Sequence, residues 1–215
     1  MANTFYTKAR TELIAILRKK GITDEQVIAA VNSVPRHEFV QSSLIHRAYE
    51  DVALPIGLAQ TISQPFTVAI MSQSLRAKPG FKILEIGTGS GYQAAVLKAM
   101  GCQVFSIERH LDLMNKARTT LERLGYGIAC RCADGTLGWN QYAPFDGIIV
   151  TAGGPTVPPS LTRQLKIGAR LVIPIGDDKV QNLHVITRLS EEEFQTETIE
   201  GFKFVPLIGK EGWVS

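Results

Sequence analysis

Five residues stand at spacings suited to holding a ligand: Glu85, Gly87, Gly89, Gly91 and Glu108. Residues 83–93 read ILEIGTGSGYQ, a short apolar run leading into glycines spaced G-x-G-x-G. A dinucleotide fingerprint needs G-x-G-x-x-G, whose third glycine packs the following helix on its strand. Here Tyr92 occupies that position and the glycine comes one residue early, at Gly91. Gly87 and Gly89 let backbone approach a ligand closely, and a helix starting near Gly91 offers unpaired N–H groups. Glu85, at the strand end, meets whatever lies over the loop. It would repel a pyrophosphate and attract a ligand carrying ammonium and sulfonium groups. Glu108 closes a second strand, where an acidic side chain accepts hydrogen bonds from ribose hydroxyls. Two acids around a glycine turn favour a cationic nucleoside.

The elements that must position these residues follow from apolar periodicity. From residue 82 to 175, apolar strands alternate with helical segments: KILEI, the helix GYQAAVLKAMG, QVFSIE, the helix LDLMNKARTTLERLG, GIACRCA, FDGIIVT, a helix around Leu161 to Lys166, and ARLVIPI. Near-continuous apolar strands in series with helices are the signature of a parallel sheet covered on both faces. The expected class is α/β: a doubly wound, Rossmann-like sheet with helices on both faces and antiparallel C-terminal strands (NLHVITRL, FQTETIE, FKFVPLIG). Its ligand belongs at the carboxyl ends of the strands, in the first strand-to-helix turn. Ahead of this core, Leu13, Ile14 and Leu17 recur at helical spacing up to Gly21. TDEQVIAAV opens on Thr23 with Gln26 three residues on, the pattern of a capping box, and Pro35 ends that helix. Residues 54–65, LPIGLAQTISQP, read as loop, and FTVAIMSQSL resumes a helix up to Pro79 and Gly80. Residues 1–78 are thus an N-terminal helical segment with a loop, and 79–215 the core, within one integrated domain.

Composition narrows the functional classes. The chain has 215 residues, 45% hydrophobic and 20% charged, which is ordinary globular composition with enough apolar mass for a core. No apolar run approaches the roughly 18 residues of a membrane span. Lys8, Arg10 and Glu12 interrupt the stretch where a signal peptide needs an apolar core, and three cysteines are an odd number for disulfide stapling. A cytoplasmic protein is expected. The net charge of +3 is scattered, which does not call for nucleic acid as a partner. No heptad or long apolar stripe demands association, so a monomer is expected.

The motifs also carry a family resemblance. E-x-G-x-G-x-G at residues 85–91, Glu108, ADG at 133–135 and PFDGIIVTAG at 144–153 resemble the ordered motifs of class I S-adenosylmethionine-dependent methyltransferases. VPRHEFV at 34–40, LPIG at 54–57, QTISQP at 60–65, LEIGTGSGYQ at 84–93 and FVPLIG at 204–209 narrow the resemblance to the protein-L-isoaspartate O-methyltransferases, over nearly the whole chain. That resemblance implies a repair enzyme. It moves a methyl group from S-adenosyl-L-methionine, leaving S-adenosyl-L-homocysteine, to the free α-carboxylate of L-isoaspartyl residues in damaged proteins and peptides. Such a carboxylate, with an ordinary pKa of roughly 3 to 4, is already anionic at neutral pH and needs no general base.

Carried onto this sequence, the resemblance marks Ser63 as the active-site serine. It sets Gln60, Thr61 and Ile62 beside the cofactor with Glu85, Gly87, Gly89, Glu108 and Arg109, puts Asp134 and Gly135 near the adenine, and gives Val205 and Leu207 backbone groups that grip the isoaspartyl peptide. No metal is implied. Ser63, with no His or Asp evident to activate it, reads as a hydrogen-bond donor steering the carboxylate, not as a nucleophile. Standing just before Pro65 and a helix, it is also a good N-cap. Asp134 suits a plain strand-end turn, and Asp146 reads as structural. Cys130 and Cys132 share one face of a strand, lack ligand partners for zinc and suit buried packing. The four histidines are dispersed. Ala59 stands where the family commonly has glycine.

Two rival functions remain, and a dehydrogenase is the least favoured reading. A nucleic-acid or small-molecule methyltransferase shares the fold, but an amino methyltransferase of nucleic acid would show an Asp/Asn-Pro-Pro-aromatic motif where this chain has VTAGGP. A non-catalytic module would not need the retained glycines and acids. A dehydrogenase is opposed by the glycine spacing and by Glu85.

Overall fold

A computed structural model describes residues 2–214. Three helices and a hairpin precede the sheet: α1 (Ala2–Lys19), α2 (Glu25–Ser33), β1 (Leu54–Gly57), β2 (Gln60–Ile62) and α3 (Pro65–Leu75). The alternating core follows as β3 (Lys82–Ile86), α4 (Tyr92–Ala99), β4 (Gln103–Glu108), α5 (Leu111–Arg123), β5 (Ala129–Cys132), β6 (Phe145–Val150), α6 (Pro159–Arg163) and β7 (Leu165–Gly176). The chain then adds β8 (Gln181–Arg188) and β9 (Phe194–Phe202). Seven strands form one sheet in the order β5-β4-β3-β6-β7-β8-β9, parallel from β5 to β7 and antiparallel thereafter. The α/β reading holds.

One face of the sheet packs under the long helices. Leu13 and Leu17 of α1, Val27 and Val31 of α2, Val68 and Met71 of α3, and Ala94 to Leu97 of α4 share a buried cluster with Ile83, Val104 and Val172. The other face is thinner: Leu161 of α6 and Trp139 pack with Leu84, Ile148, Phe145 and Leu171. Phe105 tightens that layer, its ring 5.9 Å from Trp139 and 4.4 Å from Tyr142. Strands buried from both sides need apolar residues at successive positions, as Gly147 to Val150 are and as Ile83 to Ile86 are except at Glu85.

Four local readings are revised. The cap of α2 is Asp24, whose side chain accepts from the Gln26 and Val27 N–H groups, not Thr23. Gln26 does not turn back to complete a capping box; it donates to Met100 C=O at 2.5 Å. The helix expected around Leu161 to Lys166 runs from Pro159 to Arg163, and Leu165 already opens β7, paired with Phe145. Residues 203–207 form no regular strand and touch the sheet through an isolated bridge between Gly153 and Pro206.

The stretch read as loop from Leu54 to Pro65 is largely a hairpin, β1 antiparallel to β2. Its turn residues, Leu58 and Ala59, have φ of 51° and 55°. Two successive positive φ values define the tight turn that matches strand twist and that normally takes Asn-Gly. A side chain in this region costs roughly 1 to 2 kcal/mol. Ala59→Gly is therefore expected to stabilise the chain by about 1 kcal/mol; an unchanged or lowered urea midpoint would show that the turn carries no such strain.

Candidate functional site

The strand order reverses beside β3: the chain moves outward through β4 and β5, then returns to place β6 on the other side of β3. Divergent loops after β3 and β6 leave a crevice at the carboxyl ends of the strands. A cavity of about 310 Å³ opens there, lined by residues 59–63, by Gly87 to Ser90, by Glu108 to His110, by Gly135, by Thr151, and by 205–208 among others. That size lies in the range of small-molecule sites.

The glycine loop is held by specific bonds. Gly87 N–H donates to Ile107 C=O at 2.8 Å, and Thr151 Oγ1 donates to Gly87 C=O at 2.6 Å. Gly87 has φ of 94°, and a Cβ there would overlap Thr151 Oγ1, so the position needs glycine twice over. Glu108 supports the loop and faces the cavity. Its carboxylate accepts from Gly89 N–H at 2.9 Å and from His110 N–H at 3.0 Å. Each oxygen keeps a lone pair for a ligand hydroxyl.

Glu85 does not reach the cavity wall; its neighbour Ile86 does. Strand alternation turns Glu85 inward, where register with Ser106 on β4 makes Ser106 Oγ a donor to its Oε2. Ser106 Oγ also lies 2.6 Å from Thr88 Oγ1, linking the acid to the glycine loop. Burial pushes the Glu85 carboxyl up to about 8, against the pull of the Ser106 bond, with the Glu108 charge adding to the rise. The attraction of Glu85 for a cationic ligand is corrected accordingly: a carboxyl raised this far is largely protonated at neutral pH and stands behind the loop.

Asp134 also stands off the wall, which takes Gly135 in its place. The Asp134 side chain accepts from Thr136 N–H at 2.9 Å, Thr136 Oγ1 at 2.7 Å and Lys210 N–H at 2.8 Å. Burial alone would raise its pKa, but these donors outweigh it and hold the carboxyl below the usual range. Asp134 therefore caps a turn and clamps the C-terminal tail over the strand ends.

Ser63 lines the cavity and makes no hydrogen bond among the described residues. Its reading as a helix cap fails, because the N-cap position of α3 is Gln64 and no side chain caps it. The Phe66 N–H is met instead by Asp51, at 2.8 Å, and Asp51 is itself held by Lys20 at 2.5 Å. A residue from a distant loop thus frees the serine hydroxyl.

The segment at Val205 is partly committed already. Val205 C=O accepts from Gly153 N–H at 2.8 Å, Leu207 N–H donates to Gly153 C=O at 2.8 Å, and Leu207 C=O accepts from Trp213 N–H at 2.8 Å. Leu207 N–H is thus committed and its C=O keeps one lone pair, whereas Val205 N–H makes no hydrogen bond among the described residues. Gln60, Thr61, Ile62 and Arg109 all lie on the wall.

Sequence reading missed several lining residues. Thr151 follows a parallel strand, where the strand-end rule would have found it. Val68 and Gln93 face the cavity from helices and carry no local signal. Away from the site, Asp146 accepts from Lys82 N–H at 2.9 Å and Lys166 Nζ at 2.6 Å, tying two strand starts together. Cys130 is half-buried, but Cys132 is exposed on the edge strand, contrary to the packing expected of both.

Comparison with known proteins adds to this geometry. The sequence model of the family described as Protein-L-isoaspartate(D-aspartate) O-methyltransferase matches residues 8–212. A protein-L-isoaspartate O-methyltransferase of Cytophaga hutchinsonii is 50% identical over 204 residues, 95% of this chain and 92% of that one. A solved protein-L-isoaspartate O-methyltransferase superposes with a TM-score of 0.85 at 30% identity, over 94% of this chain and 67% of that one. A Plasmodium falciparum structure described as this enzyme, in complex with S-adenosyl-L-homocysteine, gives 0.79 at 25% identity over 92% and 97%.

Proposed function

The chain belongs to the protein-L-isoaspartate(D-aspartate) O-methyltransferase family, and from that premise we propose how its cavity residues divide the work. The enzyme is a protein repair methyltransferase that esterifies the free α-carboxylate of L-isoaspartyl residues in damaged proteins and peptides. Bound S-adenosyl-L-methionine supplies an electrophilic methyl group, and S-adenosyl-L-homocysteine remains afterwards. The residues present fit this cofactor. Glu108 would accept from the ribose hydroxyls, the Gly87–Gly89 backbone would border the methionine part, and Gly135 would lie beside the adenine, all three being on the cavity wall. Gln60 to Ile62 cover the site from the hairpin, with Arg109 at its edge. Glu85 and Asp134 act behind the wall, holding the loop and the tail.

The observation that carries the mechanism is a pair of free donors. Ser63 and Val205 line one cavity, and Ser63 Oγ–H and Val205 N–H have no internal partners among the described residues. Together they suit an anion with two oxygens. One carboxylate oxygen taking these bonds directs the other toward the methyl carbon, while Leu207 excludes water beside it. No proton has to be removed from the substrate, so the protein's contribution is alignment and desolvation. The substrate contact through backbone suits tolerance of many flanking sequences. This reading takes the enzyme as a cytoplasmic monomer that acts without nucleic acid; among the described residues no helix is long and apolar enough to cross a membrane.

The test is methyl transfer from labelled S-adenosyl-L-methionine to paired peptides differing only in L-isoaspartyl against L-aspartyl. Label should appear on the isoaspartyl peptide alone. Ser63→Ala should lower kcat/KM about 10- to 100-fold, the scale of a lost hydrogen bond to a charged group, with cofactor affinity unchanged. A variant as active as the parent would remove Ser63 from the mechanism. Label on nucleic acid and on neither peptide would favour the rival methyltransferase.

A further inference from the structure

Gln93 is a buried polar side chain with one end unaccounted for. It stands in the first turn of α4, is 7% exposed and lines the cavity. Its Nε2 donates to Ser72 Oγ of α3 at 2.9 Å. Ser72 Oγ in turn donates to Val68 C=O at 2.7 Å, so its single hydrogen is used and it meets Gln93 as an acceptor. This relay sets the amide with its nitrogen toward α3. The opposite atom, Gln93 Oε1, is buried and has no hydrogen-bond partner among the described residues. A buried acceptor left unmet is destabilising, and native structures rarely leave one without a reason.

A donor from the ligand is the available partner. On the reading above, the cavity holds S-adenosyl-L-methionine, whose donors are the ribose hydroxyls, the adenine amino group and the α-ammonium. The hydroxyls are matched by Glu108 at the end of β4, and the adenine lies beyond β5, on the side of Gly135. Gln93 is tied instead to α3, the helix that follows Ser63, and shares the wall with Val68 and the glycine loop. We propose that Gln93 Oε1 accepts a hydrogen bond from the α-ammonium of the bound cofactor. Gln93 is thereby a determinant of selectivity for nucleosides that carry an amino-acid end. With Glu85 turned inward, this neutral amide oxygen takes the role that the sequence had suggested for the acid.

Calorimetry on the purified protein tests this without turnover. The probes are S-adenosyl-L-homocysteine, its analogue with hydrogen in place of the amino group, and 5′-methylthioadenosine, which lacks the amino-acid end. Gln93→Leu should weaken S-adenosyl-L-homocysteine binding about tenfold and leave both other ligands within twofold. Gln93→Glu, which keeps an acceptor, should retain S-adenosyl-L-homocysteine binding and prefer it over the deaminated analogue at least as strongly as the parent does. Equal weakening of all three ligands in the leucine variant, or no weakening of any, overturns the proposal. So does a glutamate variant that loses the preference, a result that stands even if the leucine variant does not fold. A parent protein that binds none of the probes would instead overturn the reading of the cavity itself.

Discussion

Glu85→Gln should be more stable than the parent chain at pH 8, by as much as about 5 kcal/mol, and differ little from it near pH 4.5. The reason is a buried carboxyl whose ordinary value of 4.5 is raised to about 8 by loss of hydration. Each tenfold change in proton affinity between the folded and unfolded chain corresponds to about 1.4 kcal/mol, which sets the ceiling. The sign follows from proton counting. Between the two values the folded chain keeps a proton on Glu85 that the unfolded chain has released, so stability falls as pH rises through this window. Below 4.5 both states are protonated and the group contributes no pH dependence. Glutamine has nearly the same shape, keeps an oxygen for Ser106 and cannot ionise. Urea unfolding of both proteins at several pH values between 4.5 and 8.5 isolates the effect, because other titrating groups cancel in the difference. Parallel curves would mean that Glu85 is ionised in the folded protein at neutral pH, returning it to the electrostatics of the ligand site.

Gly87→Ala should destabilise the chain by about 2 to 6 kcal/mol and abolish measurable cofactor binding. Two separate penalties combine. The φ of 94° is open to glycine and strained for alanine, a cost of roughly 1 to 3 kcal/mol. The new methyl group would also overlap Thr151 Oγ1, whose single hydrogen is shared between the carbonyls of Gly87 and Ile86. Relieving that overlap means breaking those bonds or moving the loop, for about 1 to 3 kcal/mol more. The double variant with Thr151→Ala tests the division. It should recover the steric part, so that the two substitutions are clearly non-additive, while the backbone part remains. Full additivity would show that the overlap is relieved by a movement that leaves Thr151 in place.

Legibility in the sequence differed sharply between these two positions. Gly87 could be assigned from its motif alone, because a positive φ beside a strand end is a local demand that only one residue type meets without strain. Glu85 could be placed at the end of a strand but not on a face of the sheet. Its strand is apolar at nearly every position, and a strand buried from both sides has no alternation to show which side chains point toward the ligand crevice. Ser63 illustrates the same limit from another direction. Sequence preference allowed it to cap the next helix, and the choice was made by Asp51, a residue of a different loop. At Val205 and Leu207 the motif marked a segment that lines the cavity, yet pairing with Gly153 decided which backbone groups stay available.

The linear sequence by itself determined the succession of strands and helices, the α/β class, the glycine loop and the segments that meet at the strand ends. Those features rest on periodicity and backbone conformation, which are properties of neighbouring residues. Tertiary structure decided which side chains face the cavity and which stand behind it, as with Glu85, Asp134 and Gln93. Burial, hydrogen-bond partners and pKa at each of those positions arise from strand register and from contacts between residues distant in the chain, so they exist only once the sheet and its helices have packed.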